Sequence, residues 1–476
     1  MKKLVIFLII ILLVCAGIYI IIYMNQTEAS ICIKEYFEKL NNKDYEGMYN
    51  DVITDLSKEE FLARIKNIYE GIEAKDINIT VLANVEDENN ADIINVTYNT
   101  SMETVAGNMN YLNTTKVIKE EEKYKVMWNS SVIFPDLKEE YKIRVEDLKS
   151  TRGTIYDRND IAIAKDGTAY SVGVVPGKIE NKEKLAELAN LLGISENNIK
   201  DAIEADYVTD DTFVPLRKIS KDEQELKNKL LSIKGVLITD VNLRVYPFKE
   251  STSILTGYIQ DGIGKTGLEY VYNDRLKGID GKEIYIVDEN NDKVKTLLKK
   301  NVENGEDVKI TIDVKLQQEL YNKFKDDKGA HISMNYNTGE ILALVSTPSY
   351  DANKIILGLT DEEWNNMQND INKPMYNRYL SAYVPGSSLK PIIGAIGLKG
   401  NYFSKDDDFG ESGTKWQNDS SWGNLYVTTL TTYQGPANLR NALIYSDNIY
   451  FAKAALKIGK NNLQNGLDEF GFNDKI

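Results

Sequence analysis

The chain has little of what several kinds of site require. It holds two cysteines and one histidine in 476 residues. Two cysteines cannot build a disulfide framework or a four-thiolate zinc site. A single histidine leaves little for metal binding or Ser-His-Asp catalysis. Proline (9) and glycine (31) are too sparse for collagen-like or linker-like sequence. Positive charge is also short: 57 Lys and Arg face 72 Asp and Glu, for a net charge of -15. A chain this acidic lacks the surface that phosphates demand, so no nucleic-acid partner is expected. Hydrophobic residues at 42% and charged residues at 27% exclude wholesale disorder. At roughly 150 residues per domain, the length suggests about three domains.

Lys2 and Lys3 precede an uncharged run from Leu4 to Tyr23. About 20 residues of helix span about 30 Å, the hydrocarbon thickness of a bilayer. The run is too long for a usual signal-peptide core, and no A-x-A-like site follows it. Residues 1–25 are therefore expected to be a cytoplasmic stub and an uncleaved transmembrane anchor. The two lysines stay cytoplasmic, which places the bulk of the chain outside the cell membrane. Cys15 lies in the anchor. Cys32 lies just beyond it and reads as a small buried hydrophobe.

Residues 29–138 read as a small α+β domain. Ile33, Tyr36, Phe37 and Leu40 keep helical spacing, as do Phe61, Ile65 and Ile68. Alternation at Ile77–Ile79–Val81, Ile94–Val96–Tyr98 and Tyr124–Val126–Trp128 predicts strands. The pattern suits a cone-like binding or spacer module. Residues 139–301 form a second segment. A charged helix is expected over 221–234, then a strand in which Val241, Leu243 and Val245 alternate against Asn242 and Arg244. A third segment starts after the polar boundary 302–307 and covers 306–476. Val308, Ile310 and Ile312 alternate as a strand, and Asp313 is placed to cap a helix over 314–324. Asn337-Thr338-Gly339 signals a hairpin.

The stretch Pro385-Gly386-Ser387-Ser388-Leu389-Lys390-Pro391 carries chemistry. Ile392, Ile393, Ala395, Ile396 and Leu398 follow, apolar almost all round, which predicts a helix buried at a domain centre. Pro391 is tolerable only in its first turn. Ser387 then sits at the helix start, where backbone N–H groups favour an oxyanion, with Lys390 one turn on along the same face. Lysine can act as base if burial brings its pKa of about 10.4 down by roughly 3 units. The four-residue pattern is weak alone, and it recurs at Ser412-Gly413-Thr414-Lys415, which reads as a turn. Downstream, Ser446-Asp447-Asn448 interrupts two apolar helical stripes. Alone it reads as a capped helix junction, with Ser446 or Asp447 bonding backbone N–H groups. After the serine–lysine motif, it reads as a second half of the same site. His331 reads as structural, Trp416, Trp422 and Tyr445 as packing residues, and Asp406-Asp407-Asp408 as a solvated loop.

With these motifs the chain resembles a class B penicillin-binding protein along essentially its whole length. Residues 385–391 match the family's nucleophile motif, and Ser446-Asp447-Asn448 its second motif. Arg152-Gly153-Thr154-Ile155-Tyr156-Asp157-Arg158-Asn159 is similar to the opening of the family's dimerisation (pedestal) domain. Gly267-Leu268-Glu269, Tyr272, Leu276, Gly278 and Gly281 resemble a later pedestal signature. Thr338-Gly339-Glu340-Ile341-Leu342-Ala343 and Pro348-Ser349-Tyr350-Asp351 resemble the start of the transpeptidase domain. The module at 29–138 looks like the nuclear-transport-factor-like domain of the low-affinity, methicillin-resistance type.

The resemblance implies a multidomain α+β chain: anchor, spacer, mostly β pedestal, and a transpeptidase domain of serine β-lactamase-like fold. It implies a D,D-transpeptidase that cross-links peptidoglycan stem peptides ending in D-Ala-D-Ala and is acylated by β-lactams. Ser387 would be the nucleophile, Lys390 its base, Ser446 a proton relay and Asn448 a holder of the substrate amide. No metal or organic cofactor is implied. Partners would be the cytoplasmic membrane and cell-wall synthesis proteins such as a glycosyltransferase.

One element departs from the family pattern. A Lys-[Ser/Thr]-Gly motif is expected after Ser446-Asp447-Asn448, and residues 449–476 hold none. Lys265-Thr266-Gly267 matches as a string but precedes Ser387 and reads as a turn. The expectation is a sequence cut within the transpeptidase domain, with its apolar helix partly uncovered, that acylates poorly alone. Two other readings stay open: a catalytically inactive scaffold of the wall-synthesis machinery, and a β-lactam sensor or hydrolase.

Overall fold

A computed structural model describes residues 27–121, 123–179, 184–410 and 413–474. They are multidomain α+β and fall into two compact units that divide between Tyr379 and Leu380. The expected anchor, with Cys15, lies outside the described residues. Among the described residues, no helix is long and apolar enough to cross a membrane.

In the first unit, Thr27 caps the helix Glu28–Asn41, accepting from the Ser30 amide, and the stripe Ile33, Tyr36, Phe37 and Leu40 is buried. A reciprocal Ser57–Glu60 capping box starts the helix Lys58–Gly71, which buries Phe61, Ile65 and Ile68. These helices share one core with five strands: β1 (Val52–Ile53), β2 (Lys75–Asp87), β3 (Asn90–Thr104), β4 (Gly107–Glu120) and β5 (Lys123–Met127). The order is β1-β5-β4-β3-β2, with β1 parallel to β5 and the other pairs antiparallel. Ile77, Val81, Val96, Tyr98, Val126 and Trp128 face inward, as their alternation predicts. β4 escapes that reading because its inward face carries Asn113 and Thr115. Asn113 donates to the carbonyls of Ser131 (2.8 Å) and Val132 (3.1 Å), and Thr115 bonds the Tyr98 hydroxyl (2.9 Å). Cys32 is buried and donates to the Tyr124 carbonyl at 3.3 Å. Burial, then the nearby carboxylates of Asp51 and Glu35, push its thiol up to about 12.

The same core takes in Ile284 and Ile286 from the strand Gly281–Val287. That strand lies between β6 (Lys142–Leu148) and the strand Lys293–Lys300. A further sheet is built on β8 (Ala162–Val174). It pairs with β7 (Ile155–Tyr156), β9 (Val214–Ile219) and β10 (Val236–Val245). The charged stretch at 221–234 forms the helix Gln224–Leu231.

On β10 the expected facing is corrected. Val241, Leu243 and Val245 are only half-buried, while the Arg244 side chain is fully enclosed. The cause is Glu269, also fully enclosed, whose Oε1 accepts from Arg244 Nε at 2.8 Å and Oε2 from Arg152 Nε at 2.7 Å. Arg244 also donates to the Gly153 carbonyl at 2.8 Å and to Asp166 at 3.2 Å. A paired, multiply bonded guanidinium tolerates burial that a lone one does not. Lys265-Thr266-Gly267 is not a separate turn: the chain bends at Thr266, the N-cap residue, and Gly267 opens the short helix Gly267–Val271. Gly267 has φ +58°, and a Cβ there would lie 2.5 Å from the Gly257 nitrogen and the Leu255 oxygen.

Residues 306–379 share a core with the segment before them. Val308, Val314, Tyr350 and Ala352 pack with Ile155, Ile163 and Tyr246. Asp313 caps Val314–Phe324 by accepting from the Lys315 and Leu316 amides. The strands Gly329–Met334 and Ile341–Thr347 form the expected hairpin. His331 stacks on Phe324 at 4.0 Å. In the second unit, the helices Lys390–Lys399, Leu439–Ile444, Asn448–Ile458 and Lys460–Glu469 surround a core that includes Ile396, Leu439, Ala442, Phe451 and Ala454. Trp416 packs edge-to-face on Trp422. Ser412, of the repeated motif, lies outside the described residues.

Two outcomes follow from the buried charges and the buried thiol. Glu269→Ala strands two guanidinium groups and is expected to cost about 3–5 kcal/mol in urea unfolding. In a Cys15→Ser chain at pH 8, Cys32 should resist a thiol reagent until the protein is unfolded.

Candidate active site

Local chain chemistry brings the motif residues together within the second unit. Gly386, with φ +57°, bends the backbone into the 3-10 turn Gly386–Leu389, which runs directly into the helix Lys390–Lys399. Pro391 occupies the first turn, where its missing N–H costs nothing. Ser387 is exposed, and Lys390 is only 7% exposed. The helix buries Lys390, Gly394, Ile396 and Gly397 but leaves Ala395 and Leu398 in solvent, so it is covered on one face rather than all round.

The second motif closes the site from the opposite side. The helix Leu439–Ile444 ends at Tyr445, Ser446 takes a left-handed φ of 52°, and Asp447 starts the next helix. Asp447 is fully buried and its Oδ1 accepts from the amides of Ile449 (2.8 Å) and Tyr450 (3.2 Å). A non-glycine residue in that conformation needs support from its surroundings. The cap and the two helices supply it. Ser446 and Asn448, one on each side of Asp447, then face the Lys390 helix.

A continuous set of hydrogen bonds results. Lys390 Nζ donates to Ser446 Oγ at 2.9 Å, to the Ser446 carbonyl at 2.6 Å and to Asn448 Oδ1 at 2.6 Å. Ser446 Oγ in turn donates to Ser387 Oγ at 2.9 Å. Asn448 Nδ2 donates to the Thr428 carbonyl at 2.8 Å, which fixes the amide orientation. The Phe451 ring lies 5.8 Å from Nζ. Burial lowers the Lys390 pKa from the usual lysine range, and the Asp447 carboxylate partly opposes that shift. All four sequence-predicted site residues therefore meet. The link from Lys390 to Ser387 runs through the Ser446 hydroxyl. Thr428, Phe451 and Tyr433, which donates to Asp447 Oδ2 at 2.8 Å, had no motif to reveal them. Among the described residues there is no cluster suited to a metal ion.

An amine with a serine hydroxyl between it and a second, exposed serine hydroxyl can move a proton away from the outer oxygen. That is nucleophile activation without histidine. It requires a neutral amine, and the enclosure of Lys390 favours that form.

Comparison with known proteins identifies three family models along the chain. The NTF2-like N-terminal transpeptidase domain matches residues 28–141, the penicillin-binding protein dimerisation domain 147–310, and the penicillin-binding protein transpeptidase domain 329–476. Penicillin-binding protein 3 of Bacillus subtilis is 36% identical over 98% of this chain and 74% of its own length. Peptidoglycan D,D-transpeptidase MrdA of Haemophilus influenzae is 27% identical over 70% of this chain and 55% of its own length. The penicillin-binding protein PBP2 of Helicobacter pylori, solved in complex with MreC, matches with a TM-score of 0.51 and 26% identity. That match covers 70% of this chain and 66% of that one.

The folded chain binds the Lys390 proton less tightly than the unfolded chain does. The burial penalty, in full force below the folded midpoint, is relieved as pH rises through it toward the unfolded value. Asp447→Asn removes the opposing charge. It should move the Lys390 midpoint lower still, read from the 13Cε shift of labelled lysine, and an unchanged or raised midpoint would contradict the electrostatics described.

Proposed function

The chain belongs to the class B penicillin-binding proteins, and from that premise we propose that it is a membrane-anchored peptidoglycan D,D-transpeptidase with Ser387 as its nucleophile. The observation that carries the reading is the hydrogen-bond chain Lys390–Ser446–Ser387.

In acylation, Ser387 Oγ attacks the carbonyl of the penultimate D-Ala of a stem peptide. With Lys390 neutral its nitrogen carries a lone pair, and the two hydroxyls turn so that Ser387 donates to Ser446 Oγ and Ser446 to Lys390 Nζ; the Ser387 proton moves to Ser446 as the Ser446 proton moves to Lys390. The oxyanion is stabilised by backbone N–H groups at the helix start. The bond to the terminal D-Ala nitrogen breaks, and Ser446 hands that amine the proton it needs to leave. An amine from a neighbouring stem then attacks the ester, loses its proton by the reverse route, and regenerates the Ser387 hydroxyl as the cross-link forms. Asn448 Nδ2 keeps one hydrogen beyond its bond to Thr428, and that hydrogen holds a substrate carbonyl. A β-lactam enters at the same step. Ser387 opens its ring, the ring nitrogen takes the proton, and the acyl group stays because the leaving nitrogen is tethered to it.

The wider assignments rest on the same premise. Residues 1–25 are read as stub and anchor, 29–138 as spacer, 139–301 as pedestal and 306–476 as the transpeptidase segment. This places the bulk of the chain outside the cytoplasmic membrane. MreC, named with the Helicobacter pylori relative, indicates the kind of cell-wall assembly partner the chain takes. Its substrate is the D-Ala-D-Ala stem peptide, and it needs no cofactor.

A fluorescent penicillin is the test. Any covalent adduct should map to Ser387 by mass spectrometry and vanish in Ser387→Ala. In Lys390→Ala the acylation rate should fall by at least 100-fold, within the range assigned to general-base catalysis. Acylation of wild type should weaken as falling pH protonates Lys390. An adduct on another residue, or full labelling of Ser387→Ala, refutes the assignment.

A further inference from the structure

The Ser446 corner must hold a left-handed residue with two polar groups aimed at Lys390, and what holds it lies outside both motifs. Tyr433 sits in the loop before the helix Leu439–Ile444. Its hydroxyl donates to Asp447 Oδ2 at 2.8 Å. Its ring lies flat on Tyr445, with centroids 4.7 Å apart and planes 6° apart. One side chain thus grips the residues immediately before and after Ser446.

Each grip has a separate physical task. Asp447 is fully buried, and its Oδ1 is taken up in capping the helix Asn448–Ile458. Its Oδ2 would otherwise be a carboxylate oxygen left without a partner away from water, which is costly. The Tyr433 hydroxyl satisfies it and fixes the carboxylate plane. The stack on Tyr445 covers part of a ring that is 46% exposed and sets the direction in which the chain enters Ser446.

We propose that Tyr433 is a positioning residue for acyl transfer: acting through Asp447 and Tyr445, it fixes the Ser446 corner so that Ser446 Oγ stays between Lys390 Nζ and Ser387 Oγ. The proposal rests on the acyl-transfer reading above. Tyr433 touches none of the reacting atoms. Loss of its hydroxyl lets the Asp447 carboxylate turn, which frees the helix cap and loosens Ser446 and Asn448 together.

Tyr433→Phe keeps the stack and removes only the hydroxyl. In the whole chain, the rate of fluorescent-penicillin acylation at saturation should fall by about tenfold, equivalent to about 1.4 kcal/mol, with the half-saturating concentration little changed. A role in stability alone would lower the melting temperature and leave that rate intact. Because the hydroxyl acts through Asp447, Tyr433→Phe should cost little more in an Asp447→Asn background. Additive effects would overturn the proposal. Amide exchange gives a readout that needs no acylation. Ile449 and Tyr450 should exchange faster in Tyr433→Phe, relative to the far end of their helix, and equal exchange would overturn the proposal. If wild type forms no adduct on Ser387 yet these amides speed up, the acyl-transfer reading fails while the clamp stands.

Discussion

The proposed chemistry depends on keeping an amine dry. Lys390 is enclosed except for a small fraction of its surface, and three oxygens from Ser446 and Asn448 take its hydrogen bonds. Enclosure favours the neutral form and the Asp447 carboxylate the charged one, and the pKa falls because enclosure has the larger effect. The reach to Ser387 is then indirect. Ser446 stands between the two groups and can both accept and donate, which is what a relay needs. The Lys390 helix can be half-covered and the site still formed, since one face, through Lys390, Gly394, Ile396 and Gly397, is buried along its length.

Asp447 has a double role in this arrangement. It is a helix cap, and the cap imposes the backbone turn that turns Ser446 and Asn448 toward the amine. It is also the charge that works against the lowered lysine pKa. One residue so couples the geometry of the corner to the proton affinity of Lys390. The electrostatic cost is accepted because a buried cap with two amide donors is a strong local organiser.

The site was largely legible in the sequence because its residues come in two short motifs with a helix signal beside each. Ser387 and Lys390 lie in a 3-10 turn and the helix it runs into, so they are near each other along the chain, and Ser446 completes the link between them. Ser446 and Asn448 flank a residue that reads as a cap, and it is one. Tyr433 was not legible, since its contact depends on how a loop returns to the helix junction. In the fold, inward apolar periodicity found the helices at 28–41 and 58–71 and most of the first sheet. It missed β4, whose inward-facing Asn113 and Thr115 are polar and find their partners in the Ser131 and Val132 carbonyls and the Tyr98 hydroxyl. It also misread Arg244, whose partner Glu269 is distant in sequence, so no local pattern announces that its side chain turns inward. The expected third segment, 306–476, spans the division at Tyr379, because Val308, Val314 and Tyr350 were claimed by the core of the preceding strands.

Ile284 and Ile286 lie in the core formed by the helices Glu28–Asn41 and Lys58–Gly71 and their sheet, although they come from the distant strand Gly281–Val287. Each contributes roughly 1.5–3 kcal/mol by leaving water. The leading module is consequently not a bead on a string. A chain trimmed to begin after residue 141 would carry a greasy strand face with nothing against it and would tend to stick to its own kind. The leading module and the strand Gly281–Val287 thus share one buried core, so loosening either one exposes apolar surface of the other.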